Sequence, residues 1–206
     1  MLTLWRTLTY EKLKRVYVEG SIIDLGGSKN AEYHRYIKGT HTFTSVNIDQ
    51  KNGFDLSFDL EKPFPVGDSA YDAVFCINVM EHIYNYHNLV GESFRILKSG
   101  GKVVYVIPFL IQFHPCPQDF WRYSSQSLQN IFESHGYVDI VIEPVGKGVF
   151  TSSASLRHNV YKSSLIRMVS LWWNQLLDYL FVKVLKFTNY SEVYYPLGFI
   201  VTATKK

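Results

Sequence analysis

The chain has 206 residues, 47% of them hydrophobic and 19% charged, which suits one domain with a proper core and excludes a disordered or collagen-like polypeptide. Its 21 basic and 18 acidic residues leave a formal net charge of +3. That balance excludes an electrostatic footprint for nucleic acid, though it permits an anionic substrate or a membrane surface.

The N-terminal stretch Met1–Arg6 meets charge after five apolar or neutral residues and again at Glu11 and Lys12, so it does not read as a signal peptide. Ser21–Leu25 is a short apolar run ended by Gly26-Gly27 and predicts a buried strand. Asn30 to Ile37 has helix-compatible spacing, and Phe43 to Ile48 predicts a second strand ended by Asp49. Asp72 to Ile77 predicts another strand, followed by a helix from about Tyr86 to Lys98 that Gly100-Gly101 stops. Lys102 to Ile107 predicts a strand ended by Pro108. Ser124 or Ser125 caps a helix running to His135, with Gly136 at its end. Val138–Ile142 and Phe199–Ala203 predict the last two strands. Between them, residues 149–194 form an expected helical insertion in a single domain spanning 1–206. Within it Leu165 to Phe187 is mostly apolar at helical spacing, but Arg167, Asp178, Lys183 and Lys186 interrupt it. A bilayer-spanning helix is therefore not expected. The stripe is expected to pack on the domain or on a second copy in a homodimer, with peripheral membrane contact as the other reading.

Strands alternating with helices predict a largely parallel α/β sheet, whose ligands bind beyond the carboxyl ends of the strands. The residues just after each strand are therefore the ones to inspect. Asp24-Leu25-Gly26-Gly27 lets the backbone pass close to a ligand. The dinucleotide pattern Gly-x-Gly-x-x-Gly is absent, because Ser28 and Ala31 stand at the later positions. Asp49, about 20 positions beyond the turn, can accept from a ribose diol. Asp59-Leu60 could take an adenine amino group and pack its ring. Cys76 reads as core, and Cys116 lies outside any metal-type spacing, so no metal site is expected. With two cysteines and no signal peptide, a reducing cytoplasm is the expected compartment.

Taken in order, Asp-Leu-Gly-Gly, a strand-end acid, Asp-Leu before Pro-Phe-Pro, Tyr-Asp-Ala-Val, Val-Met-Glu-His and Leu-Lys-Ser-Gly-Gly resemble the class I S-adenosylmethionine-dependent methyltransferases. The resemblance covers roughly residues 21–143 and the final strand. It implies a Rossmann-like three-layer sandwich with a seven-stranded, mostly parallel sheet whose last strand is antiparallel. It implies S-adenosyl-L-methionine as cofactor. Asp24, Gly26 and Gly27 would cradle its methionine part, Asp49 its ribose, Asp59 and Leu60 its adenine, and Asn78 the region near its sulfonium. The acceptor would be a small molecule or a glycan precursor. His82 and His114 fall on the substrate side and could act as general base. Asp119, Trp121, Arg122 and Tyr123, in an aromatic loop, are candidate substrate contacts: Arg122 could clamp a carboxylate or phosphate, and the rings could stack on the acceptor. Two other readings stand beside this one, a dehydrogenase-like nucleotide binder and a non-catalytic Rossmann-like interaction module.

Overall fold

The computed structural model describes residues 3–48, 54–157 and 160–206. Helix α1 (Leu4–Leu13) is followed by β1 (Gly20–Leu25), a 3-10 turn at Glu32–Tyr36 and β2 (His41–Val46). Then come β3 (Tyr71–Ile77), a 3-10 turn at Met80–His82, α2 (Tyr86–Ile96) and β4 (Leu97–Pro108). The chain closes with α3 (Ser125–Ser134), β5 (Tyr137–Val145), α4 (Val149–Leu156), α5 (Ser164–Asp178) and β6 (Gly198–Lys205). A π-helical segment, Tyr179–Val184, extends α5.

The described residues form one six-stranded sheet in the order β2-β1-β3-β4-β6-β5. β1 pairs in parallel with β2 and β3, and β3 with β4, whereas β6 is antiparallel to both β4 and β5. This is the expected sandwich with its inserted antiparallel strand. Six strands stand among the described residues where the resemblance implied seven, and an isolated parallel bridge joins Val46 to Leu56. β3 reads Tyr-Asp-Ala-Val-Phe-Cys-Ile and is buried from Ala73 onward, as a central parallel strand covered on both faces must be.

Each face of the sheet has its own core. On one, Leu89, Val90 and Ile96 of α2 and Leu128, Ile131 and Phe132 of α3 pack on Ile23, Val74 and Tyr105. On the other, Leu4, Trp5, Leu8 and Leu13 of α1 pack on Ile22, Phe75 and Val104. The helix caps follow the sequence. Asn85 accepts from the Asn88 amide at 3.3 Å, and Ser124 from the Ser127 amide at 3.2 Å.

Three features depart from the pattern read off the sequence. Asn30 to Ile37 yields only a five-residue 3-10 turn, because Ile37 is already extended and the chain enters β2 at His41. Helix α1 was not foreseen. Thr3 caps it by accepting from the Arg6 amide at 3.3 Å, and Leu4, Trp5, Leu8 and Leu13 supply its buried stripe. The Leu165–Phe187 stripe does form a helix, yet Leu165, Val169, Trp172 and Trp173 all point outward and are more than half exposed. No helix among the described residues is long and apolar enough to cross a membrane.

Candidate functional site

Strand order reverses between β1 and β3, which opens a crevice beyond their carboxyl ends. Asp24, the penultimate residue of β1, is fully buried. Its Oδ2 accepts from the Tyr33 hydroxyl at 2.6 Å and meets His34 Nε2 at 2.7 Å, while Oδ1 has no hydrogen-bond partner. Burial pushes the Asp24 carboxyl up, against the lowering pull of these two partners. Gly26 has φ +76°, and a Cβ there would lie 2.4 Å from Val79 Cγ2, so only glycine suits the position. At Gly27 a Cβ would lie 1.9 Å from Asp24 Oδ2. Both glycines are thus required by the close approach of neighbouring side chains.

Asp49 lies outside the described residues. Asp59 accepts from the Glu61 amide at 3.0 Å and pairs with Lys62 at 3.4 Å, and Leu60 is part of the core. Asn78 sits one residue beyond β3 in the left-handed region, φ +55°. Its amide donates to the Val106 carbonyl at 2.9 Å, and its Oδ1 accepts from the Trp5 indole N–H at 2.8 Å. Trp5 is therefore a site residue that sequence reading missed. The signal for it was present in Thr3 followed by apolar residues at helical spacing.

A cavity of about 390 Å³ opens over Asn78 and Pro108, within the size range of small-molecule sites. Trp5 lines it on one side and His82 and His114 on another, while Arg167 and Leu171 of α5 roof it. The insertion thus contributes one face to the cavity and turns its apolar stripe away.

His82 and His114 converge although 31 residues separate them in sequence. Their ring centroids lie 5.2 Å apart at an interplanar angle of 81°. Between them stands Glu81, fully buried, with neither carboxylate oxygen hydrogen-bonded. Its Oε1 lies 3.6 Å from His82 Nε2 and 3.7 Å from His114 Nε2. The His114 ring is pushed above its ordinary pKa, chiefly by the Glu81 carboxylate. Sequence reading quoted Glu81 within Val-Met-Glu-His but assigned it no role. The adjacent His82 was the available signal.

The aromatic loop is tied down at this point. Phe120 and Trp121 donate their amides to the Glu81 carbonyl at 2.8 and 3.2 Å. Asp119 accepts from the His114 amide at 2.9 Å and from Arg122 Nη2 at 2.7 Å. The Arg122 guanidinium holds the Asp119 carboxyl down at about 2. Trp121 donates its indole N–H to the Ile83 carbonyl at 3.1 Å and stacks on Tyr84, and Tyr123 is buried. The structure therefore places these four residues together as a support that carries His114, and none of them lines the cavity.

The family model described as a methyltransferase domain matches residues 27–105, from the turn after β1 into β4. An uncharacterised protein of Methanocaldococcus jannaschii is 46% identical over 43 residues, which is 21% of this chain and 19% of that protein. The matched stretch thus spans about a fifth of that relative's length. The fold matches an S-adenosylmethionine-dependent methyltransferase of Thermotoga maritima, described as a possible histamine N-methyltransferase. That match has TM-score 0.63 and 13% identity, over 98% of this chain and 92% of the other. It also matches an S-adenosylmethionine-dependent methyltransferase of Archaeoglobus fulgidus, with TM-score 0.57 and 16% identity, over 98% and 91% of the two chains.

Proposed function

We propose that this chain, whose residues 27–105 match a methyltransferase domain, is a class I S-adenosylmethionine-dependent methyltransferase that moves the cofactor's methyl group to a small-molecule or glycan-precursor acceptor held in the cavity over Asn78. The observation that carries this reading is the cavity's position. It opens where β3 and β4 end, beside the strand-order reversal, and its walls combine Asn78 with two histidines.

In this reading Asp24 and the Gly26-Gly27 turn receive the methionine end of the cofactor, Asp49 the ribose, and Asp59 and Leu60 the adenine. The unpartnered Asp24 Oδ1 supports the first assignment, since a buried carboxylate oxygen calls for a donor and the cofactor's ammonium is one. S-adenosylmethionine has no pyrophosphate, so the short 3-10 turn after β1 need not present a helix N-terminus. Asn78, fixed by Trp5 and Val106, borders the sulfonium. The sulfonium is its own leaving group, so in-line displacement needs chiefly positioning. The acceptor's attacking atom then faces His82 and His114 across the cavity.

Calorimetry with S-adenosylmethionine and its demethylated product tests the reading. Binding at one site per chain is expected, weakened at least tenfold in Asp49→Ala. Absence of binding by the wild-type chain refutes it. We also propose that the exposed apolar stripe of α5 pairs two copies of the chain. Such a stripe of large side chains at helical spacing marks a contact surface.

A further inference from the structure

We propose that Glu81, His82 and His114 hold one divalent transition-metal ion of the zinc or manganese kind, and that this ion receives the acceptor's hydroxyl oxygen in the cavity.

Three observations carry the site. The ligand atoms converge: one atom from each residue lies within 4.8 Å of the others. The separations from Glu81 Oε1 to the two Nε2 atoms, 3.6 and 3.7 Å, are close to the roughly 3.3–3.6 Å that a tetrahedral ion with bonds of about 2.0–2.2 Å imposes between its ligands.

The histidines are also oriented as ligands. His82 Nδ1 faces the Gln118 carbonyl, and His114 Nδ1 faces the Gln112 carbonyl at 2.9 Å. A carbonyl can only accept, so in each neutral ring the proton sits on Nδ1 and the Nε2 lone pair is bare. Both bare lone pairs lie on the Glu81 side of their rings. A backbone carbonyl on the far nitrogen is the usual support of a metal-bound imidazole, fixing its tautomer and orientation.

Finally, Glu81 is fully buried with neither oxygen hydrogen-bonded, its Oε1 facing the two imidazole nitrogens at 3.6 and 3.7 Å. A buried carboxylate left this way is costly, and a cation between the rings would satisfy it. The Phe120 and Trp121 amides donate to the Glu81 backbone carbonyl and fix the stretch of main chain that carries it. Two imidazoles and one carboxylate favour a borderline ion over magnesium, which prefers oxygen. Such a triad leaves at least one coordination position open. Since His82 and His114 line the cavity and Glu81 lies behind them, that position faces the acceptor.

The chemical role of the ion rests on the methyl-transfer reading, whereas the binding site does not. The ion lowers the pKa of a coordinated hydroxyl as it does that of water. The hydroxyl's proton leaves to solvent. The oxygen's electron pair forms the new O–C bond to the methyl carbon as the C–S bond breaks, and its pair returns to sulfur. The ion keeps its oxidation state.

The test uses the full chain stripped with a chelator and titrated with Zn²⁺, Mn²⁺ or Mg²⁺ alone by calorimetry, with Co²⁺ as a spectroscopic substitute. One Zn²⁺ or Mn²⁺ per chain is expected, bound more tightly than Mg²⁺, together with visible Co²⁺ bands of low coordination number. His82→Ala, His114→Ala and Glu81→Gln should each lower affinity more than tenfold and remove those bands. His114→Gln, on the partly exposed loop, is the variant to read if Glu81→Gln does not fold. No ion binding by the wild-type chain overturns the proposal, as does binding that survives all of the single substitutions. Ion binding without binding of the demethylated cofactor supports the metal site and refutes the methyl-transfer reading. The reverse result refutes the metal site alone.

Discussion

Replacing Gly27 with alanine tests the packing of the turn that ends β1. Its Cβ would fall 1.9 Å from Asp24 Oδ2 and 2.2 Å from Cγ, where ordinary contact begins at 3.4 Å. The carboxylate, the backbone or both must therefore give way by about 1.5 Å. The same Oδ2 takes the Tyr33 hydroxyl at 2.6 Å and His34 Nε2 at 2.7 Å, so a shift of that size breaks both contacts. Hydrogen bonds to a charged group contribute about 1.5–3 kcal/mol each. Loss of both gives about 3–6 kcal/mol, and backbone relaxation should hold the observed cost to about 3. For a chain of this length that is a fall in Tm of roughly 6–12 °C. Thermal unfolding followed by circular dichroism measures it.

A double-mutant cycle isolates the cause. Asp24→Ala empties the space that the new methyl would enter, so Gly27→Ala should be nearly free in that background. The coupling should reach about 2 kcal/mol, well beyond the scatter of independent sites. A wild-type Tm for Gly27→Ala, or additive costs in the cycle, would refute the reasoning. Weaker binding of the demethylated cofactor by Gly27→Ala would tie the same turn to the ligand.

Other expected outcomes follow from single contacts. Trp5→Phe keeps an aromatic side chain but removes the indole N–H that holds Asn78. It should cost about 1 kcal/mol, read as roughly fivefold weaker cofactor binding in calorimetry. Asp178→Ala removes the acceptor of the Phe150 and Thr151 amides at 3.0 and 2.7 Å, which start α4, and should lower stability by about 2 kcal/mol in denaturant unfolding. Asp72 is held at about 2, chiefly by the Lys98 ammonium and then by the Ser21 amide. Because its folded pKa lies below the unfolded value of about 3.9, its contribution is present above about pH 4 and lost as pH falls toward 2. Its side chain is 33% exposed, so solvent screening reduces the contribution to about 1 kcal/mol. Asp72→Asn should show that cost at pH 7 and only a small part of it at pH 2. Trp172→Glu combined with Trp173→Glu should convert a dimer to a monomer in light scattering after gel filtration. A wild-type chain that is already monomeric refutes the pairing of copies.

The sheet was legible because strands buried on both faces announce themselves: Ser21–Leu25 ended by Gly26, Asp72–Ile77 ended by Asn78 and Lys102–Ile107 ended by Pro108 are apolar runs, and each became a strand. Helix α3 was legible through its caps, whereas α2 ends at Ile96, two residues before the expected Lys98, and Gly100-Gly101 lie inside β4. The segment after β1 was not legible: its spacing satisfies a helix, but Ile37 is already extended and only Glu32–Tyr36 coil, as a 3-10 turn. Asn78, His82 and His114 could be singled out as strand-end residues, but their partners could not. Trp5 reaches Asn78 across 73 positions, and Glu81 meets His114 across 33. Spacing rules for metal ligands see only neighbours in sequence, and this constellation is joined by the sheet.

The loop from His114 to Tyr123 shows how the same residue types serve different ends. As a sequence, Asp119, Trp121, Arg122 and Tyr123 read as contacts for a ligand, because charge and aromatic surface together are what ligands meet. In the structure Arg122 is committed to Asp119, and Asp119 also takes the His114 amide. Trp121 is committed to Ile83 and to the rings of Tyr84 and Tyr86. Each commitment shortens the list of motions open to His114, whose Nε2 lies 3.7 Å from Glu81 Oε1 at the cavity wall. A histidine on an untethered loop would lose much of its effect on an acceptor to disorder. The aromatic weight of this segment is thus the mass that holds one nitrogen still, as the methyl-transfer reading proposed above asks of a site that works chiefly by positioning.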